Sequence, residues 1–246
     1  MVQLQRLAIT PAQIQGQQLS LTLEQQHYLG RVLRLQKGDR FVVFDGQVQT
    51  WTAQLVTFLP ADPPQAELLE SSINQTELPV SVTLLVALPK GNGFDQIVRC
   101  CTELGTNRFV PVLSDRTLLK PSENKLDRWR KIATEAAEQS ERQQIPTISQ
   151  PLPLTTALQE FQDQHSLNCF CVARQPAPHL LTLLNQSSQF KAATLATGPE
   201  GGWTSEEVAL ALEMGFQSVS LGNQILRAIT APIAALSIVS ASLTAA

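Results

Sequence analysis

The stretch AATLATGPEGGWTSEEVALALEMGFQSVSLGNQILRAITAP, Ala192–Pro232, decides the fold class. It opens on a short apolar run of strand length, Ala192–Thr197. Gly198-Pro199-Glu200-Gly201-Gly202-Trp203 follows as a turn. Thr204-Ser205-Glu206-Glu207 is a capping box: the threonine hydroxyl and the glutamate carboxylate each take a free amide at the start of a helix. Gly215 suits the end of that helix. Phe216–Leu221 reads as a second strand and Gly222 opens a second turn. Thr230 can cap a final helix, with Pro232 tolerated in its first turn. Strand, turn, helix, repeated, is the order of an α/β domain with a mainly parallel sheet.

The same alternation extends upstream to about residue 80. Val80–Leu88 is a continuous apolar run, the mark of a strand buried on both faces. Phe94, Ile97, Val98, Cys101 and Leu104 recur at helical spacing, and Gly105 stops them. Phe109–Leu113 is strand-like. Ser122 can cap a helix with Leu126, Trp129, Ile132, Ala133 and Ala136 on one face. Asn168–Ala173 is another short apolar strand. Residues 1–75 read differently. Arg40–Phe44 and Thr50–Leu59 are β-rich around the hairpin signal Asp45-Gly46, and Lys37-Gly38-Asp39 marks a turn. Leu21–Leu35 looks helical in its first part. Pro60, Pro63 and Pro64 break the pattern, and Ser71, Ser72, Asn74 and Gln75 read as a linker or a final edge. The expected domains are therefore 1–75 and 76–246.

With 43% hydrophobic and 16% charged residues, the chain should fold rather than stay disordered. The net charge of -3 argues mildly against a nucleic-acid partner, but the basic residues are bunched. Arg31, Arg34, Lys37 and Arg40 form one group. Arg116, Lys120, Lys125, Arg128, Arg130, Lys131 and Arg142 form a second, interleaved with acids. That second group reads equally as a solvated helix face or as an RNA-facing surface. Cys100, Cys101, Cys169 and Cys171 lack zinc-ligand spacing and have apolar neighbours, so reduced core thiols of a cytosolic protein are expected. No metal site is expected. MVQLQRLAIT has no apolar run of the signal-peptide kind. Ala228–Ala246 is uncharged but holds Pro232 and many small polar residues, so it reads as a buried helix and not a membrane span. Trp51, Trp129 and Trp203 read as packing residues.

In an open α/β sheet, ligands bind beyond the carboxyl ends of the strands, where both glycine turns should lie. The phosphate-binding patterns GxxxxGK[ST] and GxGxxG are absent. A glycine turn without phosphate chemistry suits a nucleoside that lacks phosphates, such as S-adenosylmethionine. Two ordinary strand-to-helix turns would have the same spacing.

TGPEGGWTSEEV (Thr197–Val208) followed by LGNQILRAITAP (Leu221–Pro232) resembles the paired signature of the SPOUT methyltransferases. It is most similar to the family that makes N3-methyluridine in small-subunit (16S) ribosomal RNA. HYLGRVLRLQKGDRFVVFDG (His27–Gly46) resembles that family's N-terminal RNA-binding segment. FDQIVRCCTELGTNRFVPVLSDRT (Phe94–Thr117) and RWRKIATEAAEQSERQQIP (Arg128–Pro146) resemble its central blocks. The resemblance covers most of the chain, in order. It implies a PUA-like β-barrel, then a SPOUT α/β domain with a C-terminal trefoil knot at about 168–246. It also implies a homodimer, S-adenosylmethionine as cofactor, and ribosomal RNA as substrate, within a ribosomal particle in the cytoplasm. The final helix, with Ile229, Ile233, Leu236, Ile238, Val239 and Leu243 and no charge on any face, points independently to burial all round. A second subunit or the chain's own core could cover it.

For such an enzyme, Thr197, Gly198, Glu200, Gly201, Leu221 and Gly222 are expected to line the cofactor site, with Ile225 and Leu226 against the adenine. Uridine N3 must lose a proton, and the resulting anion spreads onto O2 and O4, so a fixed cation there would help. Arg227 matches the family's arginine and is the first candidate; phosphate binding or ion pairing is its other reading. Glu200 could accept a proton, orient a group or merely hold its loop. Arg6, Arg31, Arg34 and Arg142 are the candidates for RNA contact. The chain departs from the usual LRTETA: Ala228 and Ile229 stand where Thr and Glu are common. Cys100 stands where a lysine is usual. The departures keep two alternatives open: another SPOUT RNA methyltransferase, acting on a ribose 2′-hydroxyl or another base, and a non-catalytic RNA-binding or assembly protein of the same fold.

Overall fold

A computed structural model describes residues 4–57, 65–72, 76–162, 165–187 and 190–244. The chain forms two compact units, 1–77 with 137–145 and 78–136 with 146–246. Pro60, Pro63, Pro64, Asn74 and Gln75, read above as break and linker, lie outside the described residues.

The first unit contains β1 (Arg6–Ala8), β2 (Ile14–Gln15), β3 (Gln18–Ser20), α1 (Leu23–His27), β4 (Arg40–Phe44), β5 (Thr50–Leu55) and β6 (Gln65–Ser72). The strands form one sheet in the order β1-β4-β5-β6-β3-β2, an open half-barrel. Only the β1–β4 pair is parallel. Asp45-Gly46 does join a hairpin, through a longer turn than two residues: Asp45 Oδ1 accepts the amides of Gln47, Val48 and Gln49 at 2.9–3.0 Å. Inward residues such as Leu19, Leu29, Phe41, Val43 and Leu55 fill the core. The segment 137–145 is held by Glu77. Its carboxylate accepts Arg142 Nε at 3.1 Å, Arg142 Nη2, and the amides of Gln143 and Gln144 at 3.1 Å each.

The second unit contains β7 (Ser81–Ala87), α2 (Gly93–Glu103), β8 (Arg108–Leu113), α3 (Glu123–Gln139, whose last residues pack in the first unit), β9 (Thr147–Ile148), β10 (Leu152–Pro153), α4 (Leu154–Phe161), β11 (Ser166–Cys171), α5 (Leu180–Gln186), β12 (Ala192–Thr197), α6 (Ser205–Glu213), β13 (Gln217–Val219) and α7 (Thr230–Thr244). The strand order is β10-β8-β7-β12-β11-β13, with β9 also on β8, and every pair is parallel. Val82, Leu84, Leu85, Val86 and Ala87 are all fully buried, so the uninterrupted apolar run is covered on both faces. On one face, Leu85, Val110, Phe170 and Ala196 pack with Leu154, Leu158, Val208 and Ala211 from α4 and α6. In α2 and α3, Phe94 and Trp129 meet at 4.3 Å between ring centroids, and the indole Nε1 donates to the buried Asp95 at 2.9 Å. Gly105 ends α2 at φ +103, with Leu78 so close that an added Cβ would lie 2.8 Å from it.

One expectation is corrected. Thr230 is the first residue of α7 and not its cap; the carbonyl of Arg227 accepts the amides of Thr230 and Ala231 at 2.9 and 3.0 Å. The final helix is covered only in part by its own chain. Pro232, Ala235, Leu236 and Val239 are buried, while Ile233, Ile238 and Leu243 are only half-buried.

Candidate cofactor and substrate site

The strand order brings the carboxyl ends of β12, β11 and β13 side by side. The turns leaving them enclose a cavity of about 570 Å³. Its walls are 171–177 at and after the end of β11, 198–203 after β12 and 220–226 after β13, closed by Val208 of α6, Ala231 of α7 and Ala228 in the turn before α7, with Arg116 alongside. Two of these turns are the glycine turns read from sequence. The third, through Arg174-Gln175-Pro176, contains no glycine and was missed. Its only sequence signal is a strand-to-helix connection on the same edge.

The turn after β12 is held at several points. Trp203 stacks on Phe170 at 4.5 Å between centroids and donates Nε1 to the carbonyl of Cys171 at 3.1 Å. A Cβ on Gly198 would lie 3.2 Å from that indole, so a side chain there would crowd the ring. The Thr204 capping box forms as expected, with Glu207 Oε2 accepting the Thr204 amide at 2.8 Å. Glu207 is buried, and its Oε1 accepts the amide of Asp115 at 2.9 Å, which ties the turn to the loop after β8. From that loop, Arg116 Nη1 donates to the carbonyl of Gly201 at 2.6 Å.

Of the expected cofactor residues, Gly198, Glu200, Gly201, Leu221, Gly222, Ile225 and Leu226 line the cavity. Thr197 stands one residue behind the wall, fully buried, and its hydroxyl has no hydrogen-bond partner among the described residues. Glu200 is exposed, and its Oε1 accepts the amide of Lys90 at 2.9 Å, so it fastens the loop between β7 and α2. Arg227 is exposed immediately after the lining turn; its carbonyl accepts the start of α7, and its guanidinium forms no hydrogen bond with the described residues. Cys171 contributes wall, not a nucleophile: burial, and then the neighbouring Cys169, push its thiol well above the ordinary range.

Ala228 is buried in the cavity wall. Ile229 packs on Gly93 at the start of α2, its Cδ1 and Cγ1 3.0 Å from where a glycine Cβ would stand. An apolar contact thus occupies the place of the usual polar pair.

The RNA candidates separate. Arg31 and Arg34 are exposed, Arg34 at φ +58. Arg6 is half-buried, donates Nη2 to the carbonyl of Arg142 at 2.9 Å and lies over the Phe44 ring at 5.1 Å; burial lowers its pKa, opposed by Glu141 and Glu138. Arg142 is corrected: its side chain is 3% exposed and bound to Glu77, so it braces the scaffold and is not presented to a nucleic acid.

A family model of the RNA methyltransferase domain matches residues 76–240, and one of the RNA methyltransferase PUA domain matches 21–57. The chain is 51% identical over 238 residues to the ribosomal RNA small subunit methyltransferase E of Synechocystis sp., covering 97% of this chain and 78% of that protein. The chain belongs to the ribosomal RNA small subunit methyltransferase E family. The family member from Bacillus subtilis is 31% identical, over 90% of this chain and 89% of its own length. The crystal structure of the Neisseria gonorrhoeae member of the family, bound to S-adenosyl methionine, matches with a TM-score of 0.86 at 29% identity over 96% of each chain. A methyltransferase from Legionella pneumophila, also with bound cofactor, matches with a TM-score of 0.86 at 27% identity over 98% of each chain.

The cavity suits that cofactor on its own chemistry. Glycine backbone allows close approach, Val208, Trp203, Ile225 and Leu226 offer an apolar slot, and no lysine lines the wall to hold a phosphate. The unpartnered Thr197 hydroxyl is an orphan of the kind that a ligand or water satisfies.

Proposed function

We propose that this chain transfers the methyl group of S-adenosylmethionine to N3 of a uridine in 16S ribosomal RNA. The observation that carries this reading is the convergence of the Gly198–Trp203 and Ser220–Leu226 turns on one cavity, with the exposed Arg227 side chain directly after it. When bound, the cofactor supplies a methyl group already activated on a sulfonium.

The protein's own work is then positioning and electrostatics. Glycine backbone and apolar side chains orient the nucleoside. Arg227 stabilises the negative charge that develops on O2 and O4 as uridine N3 loses its proton; a guanidinium stays protonated and cannot itself be the base. Glu200, with Oε1 committed to the Lys90 amide, serves first as a positioning group. The target base must be unpaired or flipped out, because a paired N3 is hidden. Arg31 and Arg34 contact RNA phosphates, and Arg6 is the third candidate in the same unit. The module of residues 1–75 is the RNA-binding part, and 76–246 is the methyltransferase, with the trefoil knot at about 168–246. A homodimer is supported by the half-buried Ile233, Ile238 and Leu243 of α7, which a second copy would cover. The substrate is ribosomal RNA within a ribosomal particle, in the cytoplasm; no helix among the described residues is long and apolar enough to cross a membrane.

Single-turnover methylation tests the role of Arg227. Arg227→Ala should lower the rate of methyl transfer roughly 100-fold, the usual effect of removing one charge-stabilising donor, while cofactor affinity stays near wild type. An unchanged rate would remove Arg227 from the site.

A further inference from the structure

The charged side chains on the cavity wall are Arg116, Arg174 and Glu200. Arg174 sits at φ +62 and makes no hydrogen bond to a described residue. Glu200 is an anion tied to Lys90. Arg116 is different, because its position is built. Ser114 and Thr117 close a tight turn around it: the Thr117 amide donates to the Ser114 carbonyl at 3.0 Å, and the two hydroxyls lie 2.8 Å apart. The Asp115 amide is anchored on buried Glu207. Nη1 donates to the carbonyls of Gly201 at 2.6 Å and Trp203 at 3.4 Å. A Cβ on Gly201 would lie 3.0 Å from Arg116 Cδ, so the missing side chain there makes room for the arginine stem.

These bonds use Nη1 alone. Among the described residues, the Nε–Nη2 edge, a planar pair of donors matched to the two oxygens of a carboxylate, is left over. An arginine already fixed at one nitrogen loses less freedom when it binds at the other edge. S-adenosylmethionine is a zwitterion whose only anionic group is its α-carboxylate. We infer that Arg116 receives this carboxylate through its Nε–Nη2 edge and so reads the amino-acid end of the cofactor. This rests on the reading of the cavity as the cofactor site.

Equilibrium binding to the full chain tests the inference with two probes. One is S-adenosylmethionine; the other is 5′-methylthioadenosine, which keeps the adenosine and sulfur but has no amino-acid end. Arg116→Gln should weaken S-adenosylmethionine roughly 10- to 100-fold and change methylthioadenosine by less than about twofold. Arg116→Lys should fall between, since it keeps the charge but loses the fork. Equal weakening of both probes would mean that Arg116 only props the 198–203 turn, and would overturn the inference. Unchanged cofactor binding with a raised KM for RNA would assign Arg116 to a phosphate and overturn it too. Wild-type protein that binds neither probe would instead refute the cofactor reading itself, and the inference with it.

Discussion

Replacing Glu77 by alanine should destabilise the first unit more than any surface substitution. Arg142 has a side chain only 3% exposed, against 17% for Glu77, so removing Glu77 takes the carboxylate away from a buried guanidinium. Breaking such a pair from one side costs about 3–5 kcal/mol. The amides of Gln143 and Gln144 also lose their acceptor, at roughly 1 kcal/mol each where water does not replace it. For an m-value of about 2 kcal/mol/M, the urea midpoint should fall by on the order of 3 M. The double variant Glu77→Leu with Arg142→Met removes both charges and should recover most of the loss, because a buried pair adds little over apolar residues of similar size. The same double variant should leave the salt dependence of RNA binding unchanged. Arg31→Ala should reduce the slope of log K against log salt by about 0.7–0.9. Denaturation followed by fluorescence, and RNA titrations at several salt concentrations, read both effects. A Glu77→Ala midpoint equal to wild type would refute the buried-pair reasoning. A smaller slope in the double variant would return Arg142 to the RNA surface.

Gly105→Ala should cost roughly 2–4 kcal/mol, from a left-handed φ of +103 and a Cβ 2.8 Å from Leu78; Leu78→Ala in the same chain should recover the steric part, as measured by urea denaturation. The thiols of Cys101, Cys169 (pushed up to about 12) and Cys171 are raised by burial. A thiol-specific disulfide reagent at pH 8 should therefore react readily only with half-buried Cys100 until denaturant is added. The same shift fixes a sign: below about pH 8.5 the buried thiols are protonated in both states. Above it the unfolded chain gives up those protons first, so stability should fall as pH rises from about 9 towards 12; a stability that rises over that window would contradict their burial.

Most of the second unit was legible in local signals. Ala192–Thr197 is the observed strand β12 because six apolar or small residues suit a strand covered on both faces. The Thr204 capping box needs only residues three positions apart. Signals that depend on distant partners were not legible. Arg142 reads as a surface cation until Glu77, far back in the sequence, is seen beside it. Arg116 reads as one of a basic group until it meets Gly201, 85 positions on. The loop 172–177 carries no glycine or charge pattern, and only the insertion of β12 between β7 and β11 places it on the cavity. Thr230 has the right chemistry for a cap, but the chain turns earlier, on the carbonyl of Arg227. The departure at Ala228 and Ile229 puts in doubt, by sequence, the role of the usual glutamate. Within the fold it is a filled contact against Gly93.

The most direct test of the central claim is the identity of the product. Purified protein would be incubated with S-adenosylmethionine and small ribosomal subunits that lack the modification, and the RNA digested to nucleosides for mass spectrometry. N3-methyluridine formed by the wild type and lost with Arg227→Ala is the predicted result. A different methylated nucleoside, or RNA binding with no methylation at all, would contradict it.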